Sequence, residues 1–420
     1  MRLLDAWTQL KPVQRHTFLA SFLGWTLDAF DFFLLPLLVV KIADDFHVGI
    51  PALLGAVTST LLLRPVGALI FGLLADRFGR RGPLMLDILL FALFECASAF
   101  APNLAVFIVL RALFGIAMGG EWGLGAALAL ETLPSESRGL FSGILQQGYS
   151  CGFLLATLAV WLLLNHIGWR GMFLVGALPA LLVGYIRHNV PESPAWLARE
   201  KSVTKTPPFP LFSNFRKHWP LYLYAIAFMT SFNYLSHGTQ DLYPTFLEKQ
   251  RGLDLNTRTL MNVINSLGAI IGGVVFGAIS QRIGRRKAIG ITVALGVCVV
   301  PLWTLAPTLP LLALGGFLVQ FCVQGAWGVI PAHLNELSPA DARASFPGMM
   351  YQLGNFLAAG AVVQESIIAA QYFPLPNGGS NYALALAAIT TVVFLLVGLL
   401  TACGPERRSA DFTKETADIA

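Results

Sequence analysis

Residues Asn233 to Thr245 read Asn-Tyr-Leu-Ser-His-Gly-Thr-Gln-Asp-Leu-Tyr-Pro-Thr within an otherwise apolar stretch. At about 100° and 1.5 Å per residue, Asn233, His237 and Gln240/Asp241 share one helical face. That face presents an amide, an imidazole and a carboxylate. Other ionisable residues embedded in apolar runs are Asp28, Asp31, Arg64, Arg111 and Glu121. A charge at the centre of a membrane span costs about 2.5–3.5 kcal/mol on insertion scales, so such residues face a water-filled pathway or a partner. Arg64 offers a planar fork suited to bidentate carboxylate recognition. Its bland alternative is a pair with Asp28. Arg111 needs a carboxylate, for which Asp28 or Asp31 is the expected partner. Making and breaking that pair would take up and release a proton, whereas a static ion pair would only hold helices together. Gln147 and Gln352, with Asn355 one turn beyond, add amides that either orient a ligand or hydrogen-bond between helices.

The elements that position these groups are apolar helices. The chain has 55% apolar and 12% charged residues and a mean hydropathy of +0.66, against roughly 45–50% and 25% in soluble proteins. The composition indicates a polytopic membrane protein. The net charge of +5 sits in short clusters between apolar runs and carries topology information, so no nucleic-acid partner is expected. Cys96, Cys151, Cys298, Cys322 and Cys403 fall in apolar runs at no metal-ligand spacing, and His237 has no second mid-span histidine, so no metal or other cofactor is expected. Gly148-Tyr-Ser150-Cys-Gly152 fits a hydrolase pattern but lacks its strand-turn-helix setting. No catalytic constellation accompanies it, and an enzyme is not expected. The first apolar run lacks a cleavage site and reads as a retained helix.

At about 20 apolar residues per crossing, twelve spans fall near 17-41, 50-75, 83-101, 103-130, 139-165, 170-187, 218-247, 257-281, 287-305, 308-334, 343-371 and 380-403. Most Lys and Arg then lie on the side holding both termini, which places the termini in the cytoplasm. The expected division is a first six-helix bundle at 1-187, a cytoplasmic linker at 188-217, a second bundle at 218-403 and a cytoplasmic tail at 404-420.

The two halves repeat at an offset of 205 residues. Gly72, Gly79, Arg80 and Arg81 recur as Gly277, Gly284, Arg285 and Arg286; Glu131 and Arg138 recur as Glu336 and Arg343; Gln147 recurs as Gln352. The repeat also fails informatively, with Arg64 becoming Ala269, Glu121 becoming Ala326 and Asp76 becoming Gln281. Ionisable groups concentrate in the first half.

Gly72-Leu-Leu-Ala-Asp76-Arg-Phe-Gly79-Arg80-Arg81 resembles the signature loop of the major facilitator superfamily, and Gly277 to Lys287 its degraded copy. The resemblance implies an all-α membrane fold of twelve transmembrane helices in two pseudo-symmetric six-helix bundles, with a site between them near the midplane. Asp76, Arg80, Arg81, Glu131, Arg138, Arg285, Glu336 and Arg343 would form gate ion pairs that break as the halves rock. The tract Asn233-x-x-Ser236-His237-x-Thr239-Gln240-Asp241-x-x-x-Thr245 is similar to the seventh-helix signature of the JEN family of fungal monocarboxylate-proton symporters. Trp25-Thr-Leu-Asp28-Ala-Phe-Asp31 resembles that family and the bacterial sialate-proton symporters, and Asp31 with Arg111 resembles the Asp-Arg pair of proton-coupled sugar porters.

These resemblances imply a symporter of a small monocarboxylate such as lactate or pyruvate working by alternating access. Arg64, Gln147, Asn233, His237, Asp241, Gln352 and Asn355 would bind substrate. Asp28, Asp31, Arg111 and Glu121 would couple the proton. The expected setting is the bacterial inner membrane, as a monomer, with an organic acid anion, a proton and the bilayer as partners. The alternatives are a sialic acid-proton symporter and a non-transporting membrane sensor on a transporter fold, against which the short tail argues.

Overall fold

A computed structural model describes residues 3–201, 210–375, 379–408 and 410–412. Parts of the expected linker and tail therefore lie outside the described residues. Among the described residues the chain is helical, with one isolated bridge between Pro374 and Ser380. The first crossings are α1 (Pro12–Asp45), α2 (Ile50–Phe78) and α3 (Arg81–Ala99). Next comes α4 (Leu104–Thr132), interrupted at Gly119 and Gly120. The helix Gly148–Val175 turns a corner at Gly168, where φ is +65°, and this separates α5 (138–167) from α6 (169–189). The second half comprises α7 (Pro210–Gln240), α8 (Leu255–Ile283), α9 (Arg285–Leu305), α10 (Leu309–Leu337), α11 (Ser345–Gln371) and α12 (Tyr382–Cys403). Ten helices among the described residues are long and apolar enough to cross a membrane.

Local chemistry sets the ends. Asn103, Asp254 and Asn381 accept backbone N–H bonds at the starts of α4, α8 and α12, each such cap stabilising by about 0.5–2 kcal/mol. Gly79 and Gly284, 205 residues apart, hold φ of +95° and +103°. Only glycine adopts that conformation without strain, and it lets α3 and α9 reverse direction after α2 and α8.

The two bundles meet through equivalent helix pairs. Gly72 of α2 lies so close to α11 that a Cβ would stand 2.6 Å from Ser345 Cα. Gly277 of α8 approaches α5 equally closely, its Cβ falling 2.7 Å from Gly143 Cα. Within the first bundle, α4 presses its glycines on α2: a Cβ at Gly115 would meet Thr60 Cα at 2.8 Å, and one at Gly119 would meet the Arg64 carbonyl carbon at 2.9 Å. The four-residue glycine spacing of α4 thus brings Arg64 and Arg111 onto adjoining backbones.

Candidate functional site

One face of the molecule is latched shut. Asp76, at the last turn of α2, accepts from Ala344 N (3.0 Å), Ser345 N (3.1 Å) and Ser345 Oγ (2.5 Å) at the start of α11. The equivalent Gln281 of α8 accepts from Gly139 N at 2.9 Å at the start of α5 and donates to Ser135 O at 2.9 Å. Each bundle therefore caps a helix start in the other. Behind each latch is a buried fork. Arg80 donates to both Glu131 oxygens at 3.0 and 3.2 Å, and Arg285 to both Glu336 oxygens at 2.8 and 2.9 Å. Glu192 takes the Arg80 backbone N–H at 2.7 Å, as Glu406 takes that of Arg285 at 2.6 Å.

Arg138 and Arg343, equivalent by the repeat, close on a single ring. Their guanidinium carbons lie 3.7 and 4.5 Å from the centroid of Phe412. Arg343 also donates to Phe412 O at 3.0 Å, and Arg138 to Ala410 O at 2.5 Å. Arg81 makes no bond to the second bundle among the described residues, donating to Arg187 O and, through its backbone, to Glu192 of the linker. Nothing in the sequence pattern pointed to Phe412.

Away from the latch, a cavity of about 230 Å³ adjoins a second region of about 270 Å³. Arg64, Asn233, His237, Asp241 and Asn355 line the first, and Gln240, Asp241, Tyr149 and Gln324 are common to both. The polar face expected of Asn233 to Asp241 is thus assembled. His237 Nδ1 lies 3.0 Å from Asp241 Oδ2 and its Nε2 lies 3.0 Å from Asn355 Oδ1. Both contacts are to oxygen acceptors, which an imidazolium satisfies; a neutral ring does so only with the Asn355 amide turned over. Asn233 donates to Met229 O at 2.8 Å and stays buried, and Gln240 bonds Gln320 at 3.2 Å. At the closed end, Tyr351 of α11 packs on Trp122 of α4 with ring centroids 4.7 Å apart and on Trp327 at 5.7 Å.

Arg64 is 3% exposed. Its Nη2 lies 2.6 Å from Met118 Sδ, its Cζ 4.8 Å from the Phe32 ring centroid, and its Nε has no partner. No carboxylate among the described residues stands within ion-pair distance of it. Asp28 is in electrostatic reach, but both of its oxygens lack hydrogen-bond partners.

Two geometric expectations need correction. Arg111 does not pair with Asp28 or Asp31. Its Nη2 forms an ion pair with Glu95 Oε2 of α3 at 2.6 Å and donates to Ser98 Oγ at 2.8 Å. The reason is which helix α4 faces at that depth: α3 presents Glu95, while Asp31, Asp28 and Glu121 are fully buried without hydrogen bonds. Gln147 and Gln352 do not line the cavity. Their preceding neighbours Gln146 and Tyr351 do, because adjacent helical residues diverge by about 100° and α5 is interrupted at Gln147 itself. Gln147 packs instead against Gly273 of α8.

Glu95, Asp87 and Glu365 were missed. A signal existed for each, an acid inside an apolar run, and Asp87 and Glu95 stand eight residues apart on one helix. Glu365 is buried in α11 beside Gly238 of α7, its Oε1 lying 2.5 Å from where a Gly238 Cβ would stand.

The family model described as Major Facilitator Superfamily matches residues 18–362 and 242–416. The chain belongs to the major facilitator superfamily. It is a multi-pass membrane transporter of that superfamily and not an enzyme. It is 30% identical to a carboxylic acid transporter protein homolog of Saccharomyces cerevisiae, over 97% of this chain and 72% of that protein. It is 29% identical to the sialic acid transporter NanX of Escherichia coli, over 94% of this chain and 96% of that one. Among solved superfamily structures, the proton:xylose symporter XylE superposes with a TM-score of 0.72 at 19% identity, covering 96% of this chain and 98% of that one. That likeness establishes the twelve-helix fold.

Proposed function

We propose that the chain carries a small monocarboxylate such as lactate or pyruvate together with a proton, by alternating access across a bacterial inner membrane. The observation that carries the reading is Arg64, a buried guanidinium on the cavity wall with a free Nε and, among the described residues, no carboxylate partner within ion-pair distance. A substrate carboxylate would supply that partner. Asn233, the Asp241–His237–Asn355 chain and Gln146 would orient the rest of the anion. Asp28, Asp31 and Glu121, set back from the cavity, would hold the transported proton, with Arg111 as the fixed positive charge against them. The relative in yeast that is described as a carboxylic acid transporter homolog supports the substrate class.

In this reading the bundles, 1-187 and 218-403, rock about the latch, the linker and both termini lie in the cytoplasm, and a monomer suffices. One anion moving with one proton is electroneutral, so the pH gradient drives accumulation at about 1.4 kcal/mol, or tenfold, per pH unit at 25 °C. Labelled lactate uptake into proteoliposomes is expected to rise as the outside is acidified and to be indifferent to membrane potential. Uptake that follows voltage and ignores pH sinks the reading. A sialic acid-proton symporter is the second reading, favoured by Asn262, Asn265, Ser266 and Gln320 in the adjoining region, which suit a polyhydroxylated acid. Labelled sialate accumulated in the presence of excess lactate would select it.

A further inference from the structure

The first bundle contains more buried acid than the cavity uses. Asp87 and Glu95 on α3 are both fully buried, and neither lines the cavity. They flank the three acids of α1 and α4. Gly176, after the corner between α5 and α6, packs on Glu95 and Asp31 together: a Cβ there would stand 2.7 Å from Glu95 Cγ and 2.9 Å from Asp31 Oδ1. Asp31 is in electrostatic reach of Glu95, Asp28 and Arg111. Glu121 is in reach of Asp28, and Asp87 of both Glu121 and Asp28. At the other end, Gly120 would bring a Cβ within 2.7 Å of Asp87 Oδ1. These contacts and electrostatic links order the carboxyl groups as a file, Glu95, Asp31, Asp28, Glu121, Asp87, with Asp87 also in reach of Asp28.

The direction of α3 gives the file its polarity. The helix starts at Arg81 on the latched face, so Asp87 lies about 9 Å from that start and Glu95 about 12 Å further on. The charged groups facing Glu95 are Arg111 from α4 and Asp31 from α1; those facing Asp87 are Glu121 from α4 and Asp28 from α1. Arg64 of α2 stands in reach of Asp28 at the middle. Five acids against two guanidinium groups leave carboxyl groups over, and an unpaired buried carboxylate is costly. Protons neutralise such a surplus without needing further room.

We propose that α3 supplies both ends of the proton route, Glu95 receiving the proton from the open face and Asp87 passing it to the latched face. The inference rests on the symport reading given above. Each hop moves one proton from the O–H of a carboxylic acid to a carboxylate oxygen of its neighbour, breaking one O–H bond and forming another. Arg111 beside Glu95 and Arg64 beside Asp28 set which member of the file is ionised as the substrate comes and goes.

The test uses Asp87→Asn and Glu95→Gln, with Asp87→Glu and Glu95→Asp as acid-retaining controls, in proteoliposomes with labelled lactate. The native chain is expected to reach about tenfold accumulation per pH unit. The neutralised variants are expected to stay at equilibrium while still exchanging lactate across the membrane at equal pH, and the acid-retaining controls to recover accumulation. Native accumulation in either neutralised variant overturns the proposal. If the native chain accumulates no lactate under a pH gradient, the symport reading fails separately. Infrared titration then decides the file without a substrate. The native protein should show the carbonyl stretch of protonated carboxyl groups, part of it absent from Asp87→Asn and Glu95→Gln and lost as the pH rises. Spectra in which neither variant changes that band overturn the file.

Discussion

Asp76 in α2 and Gln281 in α8 stand 205 residues apart, and each caps the start of a helix in the opposite bundle. The first does so with a carboxylate that gathers three donors from α11, the second with an amide that takes the Gly139 N–H and returns a bond to Ser135. The same contrast runs through the interior. The first bundle buries Asp28, Asp31, Asp87, Glu95 and Glu121, whereas the second buries Glu365 and faces the cavity with Asn233, Gln240, Gln324 and Asn355 beside the His237–Asp241 pair. Duplication preserved the mechanical parts, the glycine corners and the arginine forks. The charges that can titrate stayed mostly on one side. On the proposed symport reading the first bundle would handle the proton and lend Arg64 to the substrate carboxylate, while the second would supply the amides that orient the rest of the solute.

The largest effects should be equal in the two bundles. Arg80→Ala and Arg285→Ala each strip a fully buried glutamate of its fork, and breaking such a pair costs about 3–5 kcal/mol. Thermal unfolding in detergent should drop alike for both, and a clearly smaller loss for one would break the equivalence. The latch itself should be unequal. Asp76→Ala removes hydrogen bonds to a charged acceptor, about 1.5–3 kcal/mol each, whereas the two bonds between bundles lost in Gln281→Ala are neutral ones of about 0.5–1.5 kcal/mol each. The 3.1 Å bond that Gln281 accepts from Arg285 lies within the second bundle. Hydrogen exchange at the Ala344 and Ser345 amides should therefore accelerate more in the first variant than exchange at Gly139 in the second. Equal acceleration would mean that the carboxylate adds nothing to the latch. The smallest effect belongs to Phe412→Ala, which removes the ring shared by Arg138 and Arg343. At about 0.5–2 kcal/mol it should raise the accessibility of the latched face to an alkylating reagent without altering lactate affinity.

The architecture was legible because it rests on one-dimensional signals: the length of apolar runs, glycines at corners and a fixed repeat. The helical face of α7 was legible for the same reason, since i, i+4 spacing brings Asn233, His237 and Asp241 together whatever surrounds them. Partner choice was not. Arg111 meets Glu95 because of how α3 and α4 are rotated against each other, and sequence spacing within either helix carries no information about that rotation. The same blindness exchanged Gln146 for Gln147, a one-residue step that turns a side chain from the cavity to α8. Phe412 was out of reach because its contact depends on where the tail runs after Cys403.

The division of labour is tested most directly by neutralising one residue on each side, Asp31→Asn in the first bundle and Asn233→Ala in the second, and measuring lactate exchange and pH-driven accumulation in the same proteoliposomes. Asp31→Asn should exchange lactate at native affinity yet fail to accumulate it. Asn233→Ala should bind lactate more weakly but, once lactate is saturating, still move one proton with each molecule. Accumulation that survives in Asp31→Asn, or proton coupling that is lost in Asn233→Ala, would contradict the account.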